Sequence, residues 1–204
     1  MSTNSAEDMI PEQEEGVQSN TESDAVFESE PEAIRFYQVV RERLLDVNQW
    51  NKWAGAATAR FQLIDAEGRK VNRPAQQGDY FQIDIPGPDG EEGDWVRIEA
   101  IEERTEPDCQ MTAIRVRPAE NPLSAKGETA HFFGEEATST FVAKQQGGKV
   151  TAAVYGRNEK PNTERESLGD KIRNAVIALG AMVGFSKLQW KSLVTGLVNK
   201  DPAP

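Results

Sequence analysis

Apolar positions recur every second residue through the middle of the chain and every third or fourth residue near its two ends. Between residues 79 and 85, Phe81, Ile83 and Ile85 alternate with Tyr80, Gln82 and Asp84, the period of a strand with one buried face. Over 110–117, Thr112, Ile114 and Val116 alternate with Met111, Ala113 and Arg115 in the same way. Residues 57–64 and 94–103 read as two further strands. In the second of these, the phase set by Trp95, Val96 and Ile98 shifts before Ile101, which predicts a β-bulge. The last pair, 137–145 and 149–157, is separated by Gln146-Gly147-Gly148, a hairpin signal. A weaker stretch, Asp24 to Glu28, predicts a short first strand.

Helical spacing takes over on either side of these strands. Ser29 is placed to cap a helix, Pro31 suits its first turn, and Glu32 completes a capping box. Ile34, Tyr37, Val40, Leu44 and Val47 supply its buried face, and the helix is expected to fade near Asn48. At the other end, Ile172, Val176, Leu179 and Val183 share one face, with Ala175, Ala178, Gly180 and Ala181 small beside them. Small residues there let a helix lie close to a sheet. Gly184 weakens the helix, Ser186 with Gln189 forms a box that restarts it, and Trp190, Leu193, Val194 and Leu197 continue the stripe. Six successive strands with mostly short links argue for one antiparallel, strongly curved sheet. The terminal helix, 168–198, is the long apolar element left to fill the curve.

The segment A-V-F-E-S-E-P-E-A-I-R-F-Y-Q-V-V-R-E-R-L-L-D-V-N-Q-W-N-K-W opens with a proline-led helix and closes on a corner formed by Asp46, Trp50 and Trp53. With the order strand, helix, six strands, helix, it resembles the START-like, or polyketide cyclase (SRPBCC), helix-grip superfamily. The resemblance implies an α+β fold in which a curved antiparallel sheet of six to seven strands packs on a long C-terminal helix. It also implies an apolar cavity between sheet and helix, able to hold a lipid, a polyketide-like molecule or another hydrophobic compound. It implies no particular chemistry, because such a fold hosts both binders and enzymes.

Charge divides the chain of 204 residues. The formal net charge is -11, and ten carboxylates with no Lys or Arg lie in residues 1–34, leaving 24 acidic against 23 basic residues elsewhere. Neither part has the basic excess that a phosphate backbone calls for, so nucleic acid is not an expected partner. Residues 1–22 are polar and acidic and read as a disordered tail, with 23–200 as the folded domain and 201–204 as a flexible end. Cys109 is the single cysteine, which excludes an intrachain disulfide and fits a reducing, cytoplasmic setting. No secretory signal is visible, and the longest apolar run, 175–185, is far short of the roughly 20 residues of a membrane span.

Candidate chemistry is sparse. His131, followed by Phe132 and Phe133, is the lone histidine, so a His-based metal site lacks a second ligand. The acidic loop around Asp84, Asp89, Glu91, Glu92 and Asp94 does not match a calcium-loop spacing. No nucleophile elbow or phosphate-cradling glycine motif occurs. No cofactor is expected. The most distinctive polar cluster is Gly156-Arg157-Asn158-Glu159, at the end of the last strand, with Arg173 and Asn174 on the closing helix as neighbours. It reads either as a ligand head-group contact using the Arg fork or as a network fixing the strand-to-helix junction. Trp50, Trp53, Trp95 and Trp190 read either as apolar lining of a pocket or as core packing, and Phe133 and Tyr155 join the lining on the first reading.

The functional expectation is non-enzymatic binding of a hydrophobic small molecule or lipid by Trp50, Trp53, Trp95, Phe133, Tyr155, Arg157, Asn158, Glu159 and Arg173. One alternative is a protein-interaction module that uses the acidic tail and the long 118–136 connection. The other is a cyclase-, hydratase- or hydrolase-type enzyme using Arg157, Glu159 or His131.

Overall fold

A computed structural model describes residues 9–55, 59–84, 94–123, 133–160 and 187–201. Seven strands form one antiparallel sheet: β1 (Val17–Val26), β2 (Arg60–Ile64), β3 (Tyr80–Asp84), β4 (Asp94–Glu106), β5 (Cys109–Pro118), β6 (Thr138–Gln146) and β7 (Lys149–Glu159). Their spatial order is β1-β7-β6-β5-β4-β3-β2, so the first two strands in sequence are the two edges. The chain crosses between those edges through α1 (Glu30–Leu45), a 3₁₀ turn at Val47–Gln49 and α2 (Trp50–Ala54). A further helix, α3, covers residues 187–197.

The sheet curls around an aromatic knot. β2 and β6 are four strand spacings apart, about 19 Å on a flat sheet. Yet the rings of Phe61 on β2 and Phe141 on β6 lie 5.3 and 4.7 Å from Trp50, and 6.2 and 5.1 Å from Trp190. Only a strongly bent sheet brings both onto the same two indoles. Phe81 of β3 completes the knot at 5.6 Å from Trp50. Tyr37, Val40 and Leu44 of α1 and Leu193, Val194 and Leu197 of α3 join the same core. This is the helix-grip arrangement, a curved antiparallel sheet closed by the C-terminal helix.

Close approach seats α3. A Cβ on Gly196 would fall 1.9 Å from the Trp53 carbonyl oxygen, so only glycine lets the helix touch α2 there. Arg43 stacks its guanidinium 4.2 Å above the Trp53 ring and donates to the carbonyls of Leu197 and Asn199 at 2.9 and 2.8 Å. It thereby satisfies acceptors that the helix end leaves open. Gln189, on the first turn of α3, accepts at its Oε1 from the Ala59 amide at 3.0 Å. Ser186 and the 168–185 half of the closing stretch lie outside the described residues.

Several expectations shift. The first strand begins at Val17 rather than Asp24, so residues 17–22, expected in the disordered tail, pair with β7 from Val17↔Glu159 onwards. The helix predicted to fade near Asn48 ends at Leu45, with Asp46 as its C-cap, and the Trp50/Trp53 corner is a separate short helix. The bulge predicted after Ile98 is present as a register shift between Ile98 and Ala100. The hairpin at 146–148 is present as the tight link from Gln146 to Lys149, with Gly147 at φ 55°.

Candidate functional site

Alternation along β7 sends its side chains to opposite faces of the sheet. Val150, Ala152 and Val154 enter the concave core, whereas Ala153 and Tyr155 face outwards. Gly156 follows the concave set. Its missing Cβ leaves room for the Glu159 carboxylate, which would otherwise lie 2.2 Å from it. Asn158 makes that return possible by taking a left-handed conformation at φ 55°, which bends the end of the strand. Glu159 is thus carried back over Gly156 on the concave side, where it is only 5% exposed. Among the described residues its hydrogen bond is a long one, accepted from Ser19 Oγ at 3.4 Å. Burial pushes its carboxyl from the usual range up to about 7, against smaller opposing effects of Ser19 and Arg157.

Arg157 points the other way. Its guanidinium lies 5.7 Å from the Tyr155 ring on the outer face and donates to Ser19 O, Asn20 Oδ1 and Gly156 O at 3.2, 2.7 and 2.7 Å. It therefore pins the edge strand β1 to β7. Asn158 serves the N-terminal segment: its Oδ1 accepts from the amides of Glu14 and Glu15 at 2.9 and 3.2 Å. Its Nδ2 donates to Glu12 O at 3.3 Å, and its own amide donates to Gln13 Oε1 at 3.0 Å.

The expected lining residues do not converge on one place. Trp50 is wholly buried in the concave knot, its indole N–H donating to Leu44 O at 3.0 Å. Trp53 is partly buried beside it under Arg43, and its indole nitrogen has no hydrogen-bond partner. Trp95 alternates with the core residues Val96 and Ile98, so it lies on the outer face, buried but in neither apolar cluster. Phe133 is half-buried just before Gly134, whose amide donates to Lys160 O at 2.9 Å. Tyr155 is on the outer face, and Arg173 and His131 lie outside the described residues. Of the nine, Trp50, Trp53 and Glu159 belong to the concave side.

The outer face also carries an apolar patch beyond the expected Tyr155 and Arg157. One cross-strand row there runs Asp24, Thr151, Lys144, Met111, Arg104, and the next runs Glu22, Ala153, Val142, Ala113, Glu102. Met9, 3% exposed, packs on Met111, Ala113, Val142 and Ala153. An open groove of about 860 Å³ adjoins it. The signal was present in the strand alternation, since Met111/Ala113 and Val142 are apolar on the phase opposite to the core. Among the described residues no group of three His, Cys, Asp or Glu is placed to hold a metal ion, and no helix is long and apolar enough to cross a membrane.

No family model matches the sequence, and no curated protein matches it either. Solved structures with a similar outline include truncated norcoclaurine synthase from Thalictrum flavum, at 10% identity and TM-score 0.46, covering 94% of this chain and 100% of that one. A hypothetical protein from Helicobacter pylori gives 12% identity and TM-score 0.45, with 86% of each chain covered. Ara h 8.0201 gives 13% identity and TM-score 0.33, covering 87% of this chain and 99% of that one. These likenesses assign no activity.

Proposed function

We propose that the chain is a small-molecule-binding helix-grip domain that holds a hydrophobic compound or lipid between the concave sheet face and the C-terminal helix. The observation that carries this reading is Glu159, a carboxylate buried at the concave end of β7 with, among the described residues, one long hydrogen bond from Ser19. A buried acid with so little compensation is costly, and a ligand hydroxyl or amine donating to it relieves that cost. Apolar Val154, Phe141 and Val116 lie on the same concave face and supply the greasy surroundings. Trp50 and Trp53 form the closed end rather than the lining, Glu159 is the polar contact, and Arg157 and Asn158 hold the edge strand and N-terminal segment that frame it.

Titration with the neutral fluorophore N-phenyl-1-naphthylamine, whose amine is a single donor on an apolar body, tests this reading. Saturable binding with one site per chain is expected, together with several-fold weaker binding by Glu159→Gln. Absence of saturable binding, with no small molecule retained in native mass spectra of the purified chain, would refute it. For the enzymatic alternative using Arg157, Glu159 or His131, Arg157 and Glu159 occupy opposite faces of the sheet, and His131 lies outside the described residues.

A further inference from the structure

The outer face carries a second feature, independent of the concave site. Residues 9–16 form no strand with the sheet, yet they are laid across it. They turn at Gly16, whose φ of 75° and close approach to Glu159 O exclude a side chain. Asn158 then grips three backbone positions, Glu12, Glu14 and Glu15, while Lys160 pairs with the Glu15 carboxylate. Farther along, Met9 is pressed into a shallow seat made by the small side chains Ala113 and Ala153 on either side of Val142, with Met111 in the adjoining row.

The attachment is slight. Among the described residues, the Met9 side chain, Asn158 and the Lys160–Glu15 ion pair hold eight residues that lack the ladder hydrogen bonds of every strand beneath them. The groove also continues past this segment: Ile10 forms one wall, and the space runs on over Val142, Met111 and Cys109. Lys144 and Arg104 flank Met111 in one cross-strand row, and the Lys144 ammonium makes no hydrogen bond or ion pair with another described residue. The carboxylates of Glu22, Glu106 and Asp108 stand at the perimeter, on the edge strand and the β4–β5 hairpin. A longer guest would therefore meet an apolar floor with a cation in its middle.

We propose that this outer-face groove is a docking site for an extended acidic segment of a partner protein carrying a methionine- or leucine-like side chain, and that residues 9–16 are a displaceable strap occupying it in cis. The strap displays the chemistry the groove accepts: a thioether in the Ala113/Ala153 seat, a backbone held on Asn158, and the Glu15 carboxylate on Lys160. A partner segment that fills both the seat and the groove beyond Ile10 buries more surface than the strap, and so displaces it.

The test uses the full-length chain and a fluorescein-labelled peptide of its own sequence, E-D-M-I-P-E-Q-E-E-G-V-Q, as probe, read by anisotropy. Met9→Asp should empty the seat, and the probe should bind that variant about tenfold more tightly than wild type, because a cis competitor lowers apparent affinity by the fraction of open molecules. A probe with aspartate in place of its methionine should not bind. Adding Lys144→Glu to Met9→Asp should weaken binding several-fold. Equal affinity for wild type and Met9→Asp, or no binding to either when thermal unfolding shows both folded, overturns the proposal. Indifference to Lys144→Glu removes the acidic class of guest. A wild-type dimer by light scattering that Met9→Asp abolishes assigns the seat to a second copy of the chain instead.

Discussion

Replacing Glu159 by glutamine should change the pH dependence of stability more than any other single substitution in the described structure. The carboxyl rises from an ordinary 4.5 to about 7 in the folded chain, chiefly because burial disfavours its charged form. The folded protein therefore holds this proton more tightly than the unfolded chain does. The stabilising contribution is complete below pH 4.5, declines as pH rises through the interval to about 7, and is gone above it. A displacement of that size corresponds to about 3 kcal/mol between the two limits. Urea denaturation of wild type and Glu159→Gln at intervals from pH 5 to 8.5 isolates this contribution, because all other titrating groups are common to both proteins. Wild type should lose stability relative to the variant as pH rises, and above pH 7.5 Glu159→Gln should be the more stable by about 1–3 kcal/mol. Parallel curves would refute the reasoning, for they would mean that Glu159 ionises in the folded chain as it does in water.

Three further substitutions probe the grip itself. Gly196→Ala places a methyl group against the Trp53 carbonyl, and by the usual cost of overpacking should lower stability by roughly 1–3 kcal/mol in thermal unfolding. Trp50→Ala removes the ring around which Phe61, Phe81 and Phe141 pack, and should cost roughly 3–5 kcal/mol with loss of near-ultraviolet circular dichroism. Tyr37→Phe leaves the Thr112 hydroxyl buried without its 2.8 Å partner, for a loss of about 1–2 kcal/mol in urea denaturation; an unchanged midpoint would show that bond to be dispensable.

Much of the architecture was legible in local pattern. The alternation of Phe81 with Gln82 and of Ile114 with Ala113, the phase shift after Ile98 and the Gly147 turn each describe a contact between a residue and its near neighbours. Where a strand's burial comes from elsewhere, the pattern fails. β1 reads V-Q-S-N-T-E-S-D-A-V, with only Thr21 and Ala25 buried, so nothing in its own composition distinguishes it from an acidic tail. It is a strand because β7 offers it an open edge and Arg157 and Lys191 bind its carbonyls.

The chain order of residues determined which side chains were apolar, which were charged and with what period they recurred, and hence that a curved sheet would close on a terminal helix. It did not determine which distant residues would meet. Trp50 and Tyr155 looked alike as pocket aromatics, but strand parity and sheet curvature put one in the concave knot and the other outside, beside the Met9 seat. The high carboxyl of Glu159 likewise arises from the reversal at Asn158 and the void above Gly156. Local pattern follows from a residue and its few neighbours, whereas burial and partnership are properties of the closed surface, and only the folded chain sets those.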